Sequence, residues 1–229
     1  MSHIHFDQVS VNFDERHVLQ NINLELSERR IGIIGANGGG KSTLIRLING
    51  LGEPSNGRVL VDDMEVSTNA RAIRRKVGFV FSDAENQIIM PTVAEDVDFS
   101  LRRLKLSKPE RQARVDDILE RFGLSSHRDA SPHTLSGGQK QLLALAAVLV
   151  MEPEVIIADE PTTLLDLRNR NKIGAVLAEL PQQLIVVTHD LEFLRGFDRV
   201  LCLDGGAVVA DGTPELAISH YVDLMTKAH

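Results

Sequence analysis

The chain is nearly free of cysteine: Cys202 is the only one among 229 residues. A single cysteine excludes an internal disulfide framework and is typical of a protein kept in a reducing compartment. It lies within the apolar stretch "RVLCLD". That setting predicts a small buried side chain in a strand.

Long hydrophobic runs and an excess of basic residues are also missing. The longest apolar run, residues 142–151, is about half of the roughly 20 residues that cross a bilayer. The first residues do not pair a basic start with an apolar block, so we expect neither a signal peptide nor a transmembrane segment. The net charge of -7 argues against a nucleic-acid partner.

The remaining composition is that of a globular protein, with 43% hydrophobic and 25% charged residues and no repeat, low-complexity tract or linker. Buried runs such as "VIIA" and "LIVV", separated by helical patterns, predict an α/β fold with a parallel sheet. Alternating strands come first, and residues 91–153 are helical in pattern, including "VAEDVDFSLRRLKL". We therefore expect one domain, 1–229, with a core from 1–91 and 153–229 and an inserted helical subdomain at 92–152.

A glycine-rich loop, "GANGGGKS", fits the pattern G-x-x-x-x-G-K-[ST] and lies between a buried strand and a helix. Its glycines let backbone N–H groups surround a phosphate, and Lys41 supplies a cation for the β- and γ-phosphates. The Ser42 hydroxyl can bind Mg²⁺, and Thr43 can reach a phosphate oxygen. The candidate phosphate-binding residues here are Asn37, Gly38, Gly39, Gly40, Lys41, Ser42 and Thr43.

Acidic residues end the buried strand in "EVIIADEPT". Asp159 is placed to contact a Mg²⁺ ion through water, and Glu160 is a candidate to orient and deprotonate the attacking water. His189 ends another apolar strand, "LIVVTHD". Because ligands bind at the carboxyl ends of parallel strands, we expect Thr188, His189 and Asp190 to face the γ-phosphate. Lys41, Glu160 and His189 are the candidate catalytic residues.

A second candidate anion site lies far along the chain, in "LSGGQ" at residues 135–139. A Ser-Gly-Gly turn leads into a long helix there, so free backbone N–H groups and the positive end of the helix dipole face outward. The order of these motifs resembles the ATP-binding-cassette (ABC) ATPases over nearly the whole chain, and "LSGGQ" is the signature of that family.

The resemblance implies a P-loop cassette with a RecA-like parallel-sheet core, an N-terminal antiparallel β subdomain and an inserted helical subdomain. It also implies ATP and Mg²⁺ as ligands, and a head-to-tail homodimer that forms on ATP binding. In such a dimer Ser136, Gly137 and Gly138 of one protomer cap the γ-phosphate held by the loop of the other, with Gln139 beside them. The second anion site would thus serve a second molecule.

Other positions carry over from the resemblance. Phe13 occupies the place of the aromatic that stacks on adenine; its alternative is a strand core residue. Leu165 and Asp166 match the loop that signals across the dimer, although Leu164 stands where glycine or alanine is commoner. Ser82 stands where the family usually has a glutamine that touches both Mg²⁺ and the membrane partner, so its place among the metal ligands is open.

The stretch around Asn86-Gln87, followed by "TVAEDVDF" at Thr92 to Phe99, resembles ATPases of energy-coupling-factor (ECF) importers. This implies a transmembrane coupling subunit and a substrate-binding membrane subunit as partners, and a cytoplasmic location on the inner face of the membrane through them. Within that group the chain is most similar to ATPases of biotin importers, with cobalt and nickel importers as neighbours. The alternatives are another ABC importer, a soluble ABC ATPase of repair or translation, and a P-loop kinase.

Overall fold

Two sheets and seven helices make up the computed structural model, which describes residues 1–163 and 165–227. The strands are β1 (Ile4–Phe13), β2 (Arg16–Leu26), β3 (Arg30–Gly35), β4 (Asn56–Val61), β5 (Met64–Glu65), β6 (Val77–Val80), β7 (Val155–Asp159), β8 (Gln183–Val187), β9 (Arg199–Asp204) and β10 (Ala207–Gly212). The helices are α1 (Lys41–Ile48), α2 (Val66–Lys76), α3 (Val93–Leu101), α4 (Lys108–Arg121), α5 (Gly137–Leu149), α6 (Leu167–Glu179) and α7 (Pro214–Lys227).

The larger sheet has the strand order β10-β9-β3-β8-β7-β6. Strands β9, β3, β8, β7 and β6 are parallel to one another, and only β10, at one edge, runs antiparallel, against β9. Strands β3, β7 and β8 are buried along their whole length. Continuous apolar runs of this kind are expected where helices cover both faces of a sheet. The α/β prediction is confirmed.

The smaller sheet is antiparallel, in the order β2-β1-β4-β5. Alternate residues of its strands, such as Ile4 and Phe6 in β1, are fully buried. They pack in one core with α1 and one face of the parallel sheet. This packing fixes the β1–β2 hairpin relative to the loop between β3 and α1.

The segment between β6 and β7 is helical, as its pattern predicts. Helices α3, α4 and α5 pack against one another, and their apolar faces join a second core that covers the other face of the parallel sheet. Subdomain boundaries at residues 92 and 152 stay a prediction. No helix among the described residues is long and apolar enough to cross a bilayer, and Cys202 is fully buried in β9.

Three segments of the structure are not what the sequence pattern alone indicates. Helix α3 ends at Leu101 and not at Leu106, because Ser107 caps the start of α4 through a reciprocal pair of bonds with Glu110. Helix α2 has only two buried residues, Val66 and Ile73, so its periodicity is weak in the sequence. The stretch "LEFLRGF", with its helical pattern, contains only a 3₁₀ turn, Phe193–Gly196.

Candidate nucleotide site

A cleft of about 680 Å³ opens near the carboxyl ends of β3, β7 and β8, within the size range of small-ligand pockets. It gathers most of the residues that the sequence singles out. Its lining comprises Phe13, Arg16, Val18, Asn37, Gly38, Gly39, Gly40, Lys41, Ser42, Thr43, Ser82, Glu160, Thr163, Val187 and His189.

Two glycines of the loop are required by its geometry. Gly38 and Gly40 have φ angles of 78° and 96°, in the left-handed region that favours glycine. At Gly40 a Cβ atom would lie 2.7 Å from Leu19 Cδ2 and 2.8 Å from the Val18 carbonyl oxygen. The loop therefore approaches β2 too closely for any side chain at that position.

Lys41, the first residue of α1, is buried beneath the loop. Its Nζ donates to the carbonyl oxygens of Gly35, at 2.8 Å, and Ala36, at 2.9 Å. Burial lowers the pKa of this ammonium, and the carboxylates of Glu160 and Asp159 oppose that shift. The cation is thus held at the base of the loop, where a phosphate chain would lie.

Ser42 and Asp159 are 117 positions apart in the sequence and meet in the cleft. The Ser42 hydroxyl donates to Asp159 Oδ1 at 3.0 Å, and Arg46 Nη2 lies 3.7 Å from Asp159 Oδ2. Burial raises the pKa of the Asp159 carboxyl, while the Ser42 hydrogen bond and the Arg46 charge oppose the rise. A hydroxyl and a carboxylate side by side are the hard oxygen donors that Mg²⁺ prefers.

The pair fits a Mg²⁺ ion that completes its shell with phosphate and water oxygens. Among residues 1–163 and 165–227, no group of three or more His, Cys, Asp or Glu side chains is arranged to hold a metal ion alone. Sites with one or two protein ligands, filled by substrate phosphates, are the usual form for this ion.

Glu160 follows β7 in a left-handed conformation, with φ of 50°, which is rare for a residue other than glycine. Its N–H donates to the Val187 carbonyl oxygen at 2.8 Å, which links the turn to β8. Its Oε2 accepts from the Thr163 hydroxyl at 2.8 Å and from the His189 N–H at 3.3 Å. The carboxylate is therefore aimed by contacts from two neighbouring loops.

His189 lies between Glu160 and the phosphate loop. Its Nε2 is 3.3 Å from Glu160 Oε1 and 3.2 Å from Asn37 Oδ1. The expectation that Thr188 and Asp190 also face the phosphate is wrong. Thr188 is buried, and Asp190 turns away to form an ion pair with Arg170, at 2.6 Å between Oδ1 and Nη2. Successive side chains at the end of a strand point to opposite sides, so only His189 faces the cleft.

Ser82 follows β6 and lines the cleft beside the loop and Glu160. Asn86 and Gln87, on the same connection, do not point to it. Asn86 donates to Asp83 at 3.0 Å. Gln87 accepts from the Phe81 N–H at 3.2 Å and donates to the Ala144 carbonyl oxygen of α5 at 2.9 Å.

Phe13 ends β1 at the mouth of the cleft, with 62% of its surface exposed. The alternative, a strand core residue, is wrong for this side chain. An exposed ring beside a phosphate loop is available for stacking on a base.

The loop after β7 continues with Asp166, which caps α6 by accepting from the Asn169 N–H at 2.8 Å. Leu164 lies outside the described residues.

The signature residues lie elsewhere. Within the part of the chain that the structure describes, no residue of 134–139 lines the cleft. Ser136 caps α5: its Oγ accepts from the Gln139 N–H at 3.3 Å, and its own N–H donates to Gln139 Oε1 at 2.9 Å. Ser136 and Gly137 are exposed, and no atom would contact a Cβ on Gly137. A Cβ on Gly138 would lie 2.3 Å from the Asn169 side chain.

Sequence reasoning missed Arg16, Arg46 and Thr163, which all lie at the cleft or touch its carboxylates. Thr163 lies three residues after Glu160, a spacing that allows a side-chain bond across one turn. The other two carry no local signal. Arg16 reaches the loop only because β2 packs on it, and Arg46 reaches Asp159 only through the position of α1.

The chain matches a family model described as ABC transporter over residues 19–163. It is 43% identical over 221 residues to the biotin transport ATP-binding protein BioM of Rhizobium etli, covering 96% of this chain and 98% of that protein. It is 39% identical over 223 residues to the energy-coupling factor transporter ATP-binding protein EcfA of Methanothermobacter thermautotrophicus, covering 94% and 71%.

Solved structures agree with these matches. The structure of cbiO1 from Clostridium perfringens, part of the ABC transporter complex cbiONQ, has a TM-score of 0.83 and 35% identity, covering 98% of this chain and 93% of that one. The dimeric cassette MJ0796, in a post-hydrolysis state bound to ADP and Pi, has a TM-score of 0.80 and 31% identity, covering 92% and 98%. The fold is thus that of an ABC ATPase cassette.

Proposed function

Because the chain belongs to the ABC transporter family of ATP-binding proteins and is an ATPase of that class, we propose that it drives an ECF-type importer. In this proposal ATP closes a homodimer of the chain, hydrolysis opens it, and the cycle is converted into substrate uptake by membrane partners. Biotin is the proposed cargo. The likeness to BioM and EcfA supports the importer type, and the BioM likeness supports the cargo.

One observation carries the proposed dimer: the two candidate anion sites, the phosphate loop and the start of α5, do not share a cleft. At the exposed start of α5, the N–H groups of Gly137 and Gly138 precede the first intrahelical backbone bond, from the Lys140 N–H to the Ser136 carbonyl oxygen, whereas those of Ser136 and Gln139 are bonded in the cap. A phosphate bound in the cleft of one protomer would satisfy the start of α5 in the other. The dimeric state of the MJ0796 cassette is consistent with this arrangement.

The proposed chemistry is an in-line attack of water on the γ-phosphorus, which breaks the bond to the β–γ bridging oxygen and releases ADP and phosphate. Glu160 accepts the proton of the attacking water. Thr163 and the His189 N–H hold Oε2 of Glu160, and Oε1 lies 3.3 Å from the His189 ring nitrogen Nε2, so contacts with these two residues position both oxygens of the proposed base. Lys41 and the N–H groups of the loop stabilise the charge on the phosphate oxygens. Mg²⁺, when held by Ser42 and through water by Asp159, neutralises part of that charge.

The membrane partners are proposed to be a transmembrane coupling subunit and a substrate-binding membrane subunit, which would place the chain on the cytoplasmic face of the membrane. The connection after β6 exposes Ile89, with 62% of its surface accessible. This connection is held to α5 by Gln87 and by an ion pair between Glu85 and Lys140. A partner bound there would act directly on the helix that begins at the signature.

Purification of the intact membrane complex through a tag on this chain, followed by mass spectrometry of bound small molecules, tests the proposal. We expect two membrane subunits and biotin. Recovery of membrane subunits with bound cobalt or nickel would support the importer and contradict biotin as its cargo. ATP hydrolysis with no membrane subunit in gently solubilised membranes would contradict the importer.

A further inference from the structure

Arg16 lies on the cleft side of the β1–β2 hairpin, above the phosphate loop. It pairs with Phe13 across the hairpin and lines the same cleft. A Cβ atom on Gly38 would lie 3.3 Å from Arg16 Nη2, so the guanidinium touches the tip of the loop.

The hairpin that carries Arg16 is fixed to the loop through its backbone. The Val18 carbonyl oxygen and the Leu19 side chain come so close to Gly40 that no Cβ fits between them. The Gln20 N–H donates to the Gly206 carbonyl oxygen at 2.9 Å, which ties the same strand to the turn after β9. The guanidinium of Arg16 is therefore positioned beside the loop by a hairpin that is itself held in place.

Among the described residues, no group of the chain neutralises the charge of Arg16. Among residues 1–163 and 165–227, its side chain makes no hydrogen bond and no ion pair. Arg46, the other arginine near the site, is already placed against Asp159. A guanidinium offers several donors in a planar fork that matches phosphate oxygens.

We propose that Arg16 is a second cation for the phosphate chain of the nucleotide. Lys41 lies buried at the base of the loop, and Arg16 lies at its exposed tip, so the phosphates are bound between two cations from opposite sides. This inference rests on nucleotide binding in the cleft and is independent of the cargo.

Displacement of a fluorescent ATP analogue from the full chain tests this role, with ATP and inorganic tripolyphosphate as competitors in the presence of Mg²⁺. Tripolyphosphate carries the phosphates without base or ribose. We expect Arg16→Gln to lower the affinity for both competitors by roughly tenfold, which corresponds to the loss of one charge-assisted hydrogen bond at a partly exposed site. The affinity of Arg16→Lys should lie between those of wild type and Arg16→Gln, because lysine keeps the charge and loses the planar fork of donors.

Arg103→Gln, an exposed arginine outside the cleft, is the charge-matched control and should stay within about twofold of wild type. Unchanged affinity of Arg16→Gln for ATP would overturn the inference. A loss confined to ATP, with tripolyphosphate unaffected, would also overturn it, because Arg16 would then contact the base or ribose. Failure of the wild type to bind ATP would instead contradict the function proposed above.

Discussion

The Glu160 carboxylate and the His189 ring lie 3.3 Å apart, between Oε1 and Nε2. The backbone of the same histidine donates to Oε2 of Glu160. Glu160, directly after β7, and His189, two residues after β8, therefore fix each other on one side of the cleft. The contacts with His189 help to hold the backbone of Glu160 in its left-handed conformation, with φ of 50°.

Glu160→Gln should retain ATP binding and lose turnover. The amide has the same shape and can keep the Thr163 contact, but it cannot accept a proton from water, so hydrolysis should fall by about 10² to 10⁴-fold. Glu179→Gln, an exposed acid at the end of α6, is the matched control. Phosphate release and ATP-analogue binding are measured on the same samples. Normal turnover in Glu160→Gln would show that another group is the base.

ATP should dimerise the Glu160→Gln chain through the signature. Because an uncleaved γ-phosphate bridges two protomers, light scattering should show monomers without ATP and dimers with it. Ser136→Phe should abolish the dimer by filling the space before α5. Ser107→Phe removes the corresponding capping box on α4, which Ser107 forms with Glu110, and should leave the dimer intact. A dimer that forms without ATP, or in spite of Ser136→Phe, contradicts the two-molecule site.

Gln87 should contribute to stability as a link between the connection after β6 and α5. Gln87→Leu leaves the Phe81 N–H and the Ala144 carbonyl oxygen without their partner. We expect a loss of about 2 kcal/mol in the free energy of unfolding, measured with urea. Asn86→Ala removes only an exposed bond to Asp83 and should change it by less than about 0.5 kcal/mol. Equal effects of the two substitutions would refute this role.

The contacts of Gln87 show where sequence reasoning stops. The phosphate loop and the acids after β7 are predictable, because each motif is a local requirement of backbone geometry and charge. The direction of the Gln87 side chain depends on α5, 57 residues away. The same limit applies to Asp190, which turns to Arg170, and to Arg16, which meets the loop through the packing of two sheets. Helix α2 could not be predicted because few of its residues are buried.

Asp96 should make stability depend on pH. Its Oδ1 accepts from the N–H groups of Ile89, at 2.8 Å, and Met90, at 3.0 Å. Burial raises the pKa of this carboxyl, and the two hydrogen bonds oppose the rise. Because the folded state binds this proton more readily than the unfolded state, the contribution of Asp96 to stability falls as the pH rises through its raised pKa.

Asp96→Asn keeps the acceptor and removes the charge. Its stability relative to wild type should therefore be higher at about pH 7.5 than at about pH 4, near the ordinary pKa of an aspartate. Urea unfolding of both proteins at the two pH values measures the difference, and Asp117→Asn, an exposed acid on α4, should show none. The reverse trend would mean that the hydrogen bonds outweigh burial.

Ser82 is the last position to test, since a glutamine is expected there and a serine is present. Its short hydroxyl lines the cleft, and Ser42 and Asp159 already supply adjacent oxygen donors there. We expect Ser82→Ala to hydrolyse ATP at a rate within about tenfold of wild type, a change in activation free energy below roughly 1.4 kcal/mol.

Ser82→Gln should add a longer oxygen donor and lower the Mg²⁺ concentration needed for half-maximal turnover. Hydrolysis titrated with Mg²⁺, alone and with the coupling subunit, measures both effects, with Ser126→Ala, a serine outside the cleft, as the control. A loss well beyond tenfold for Ser82→Ala in the isolated chain would make this serine a residue of the metal site.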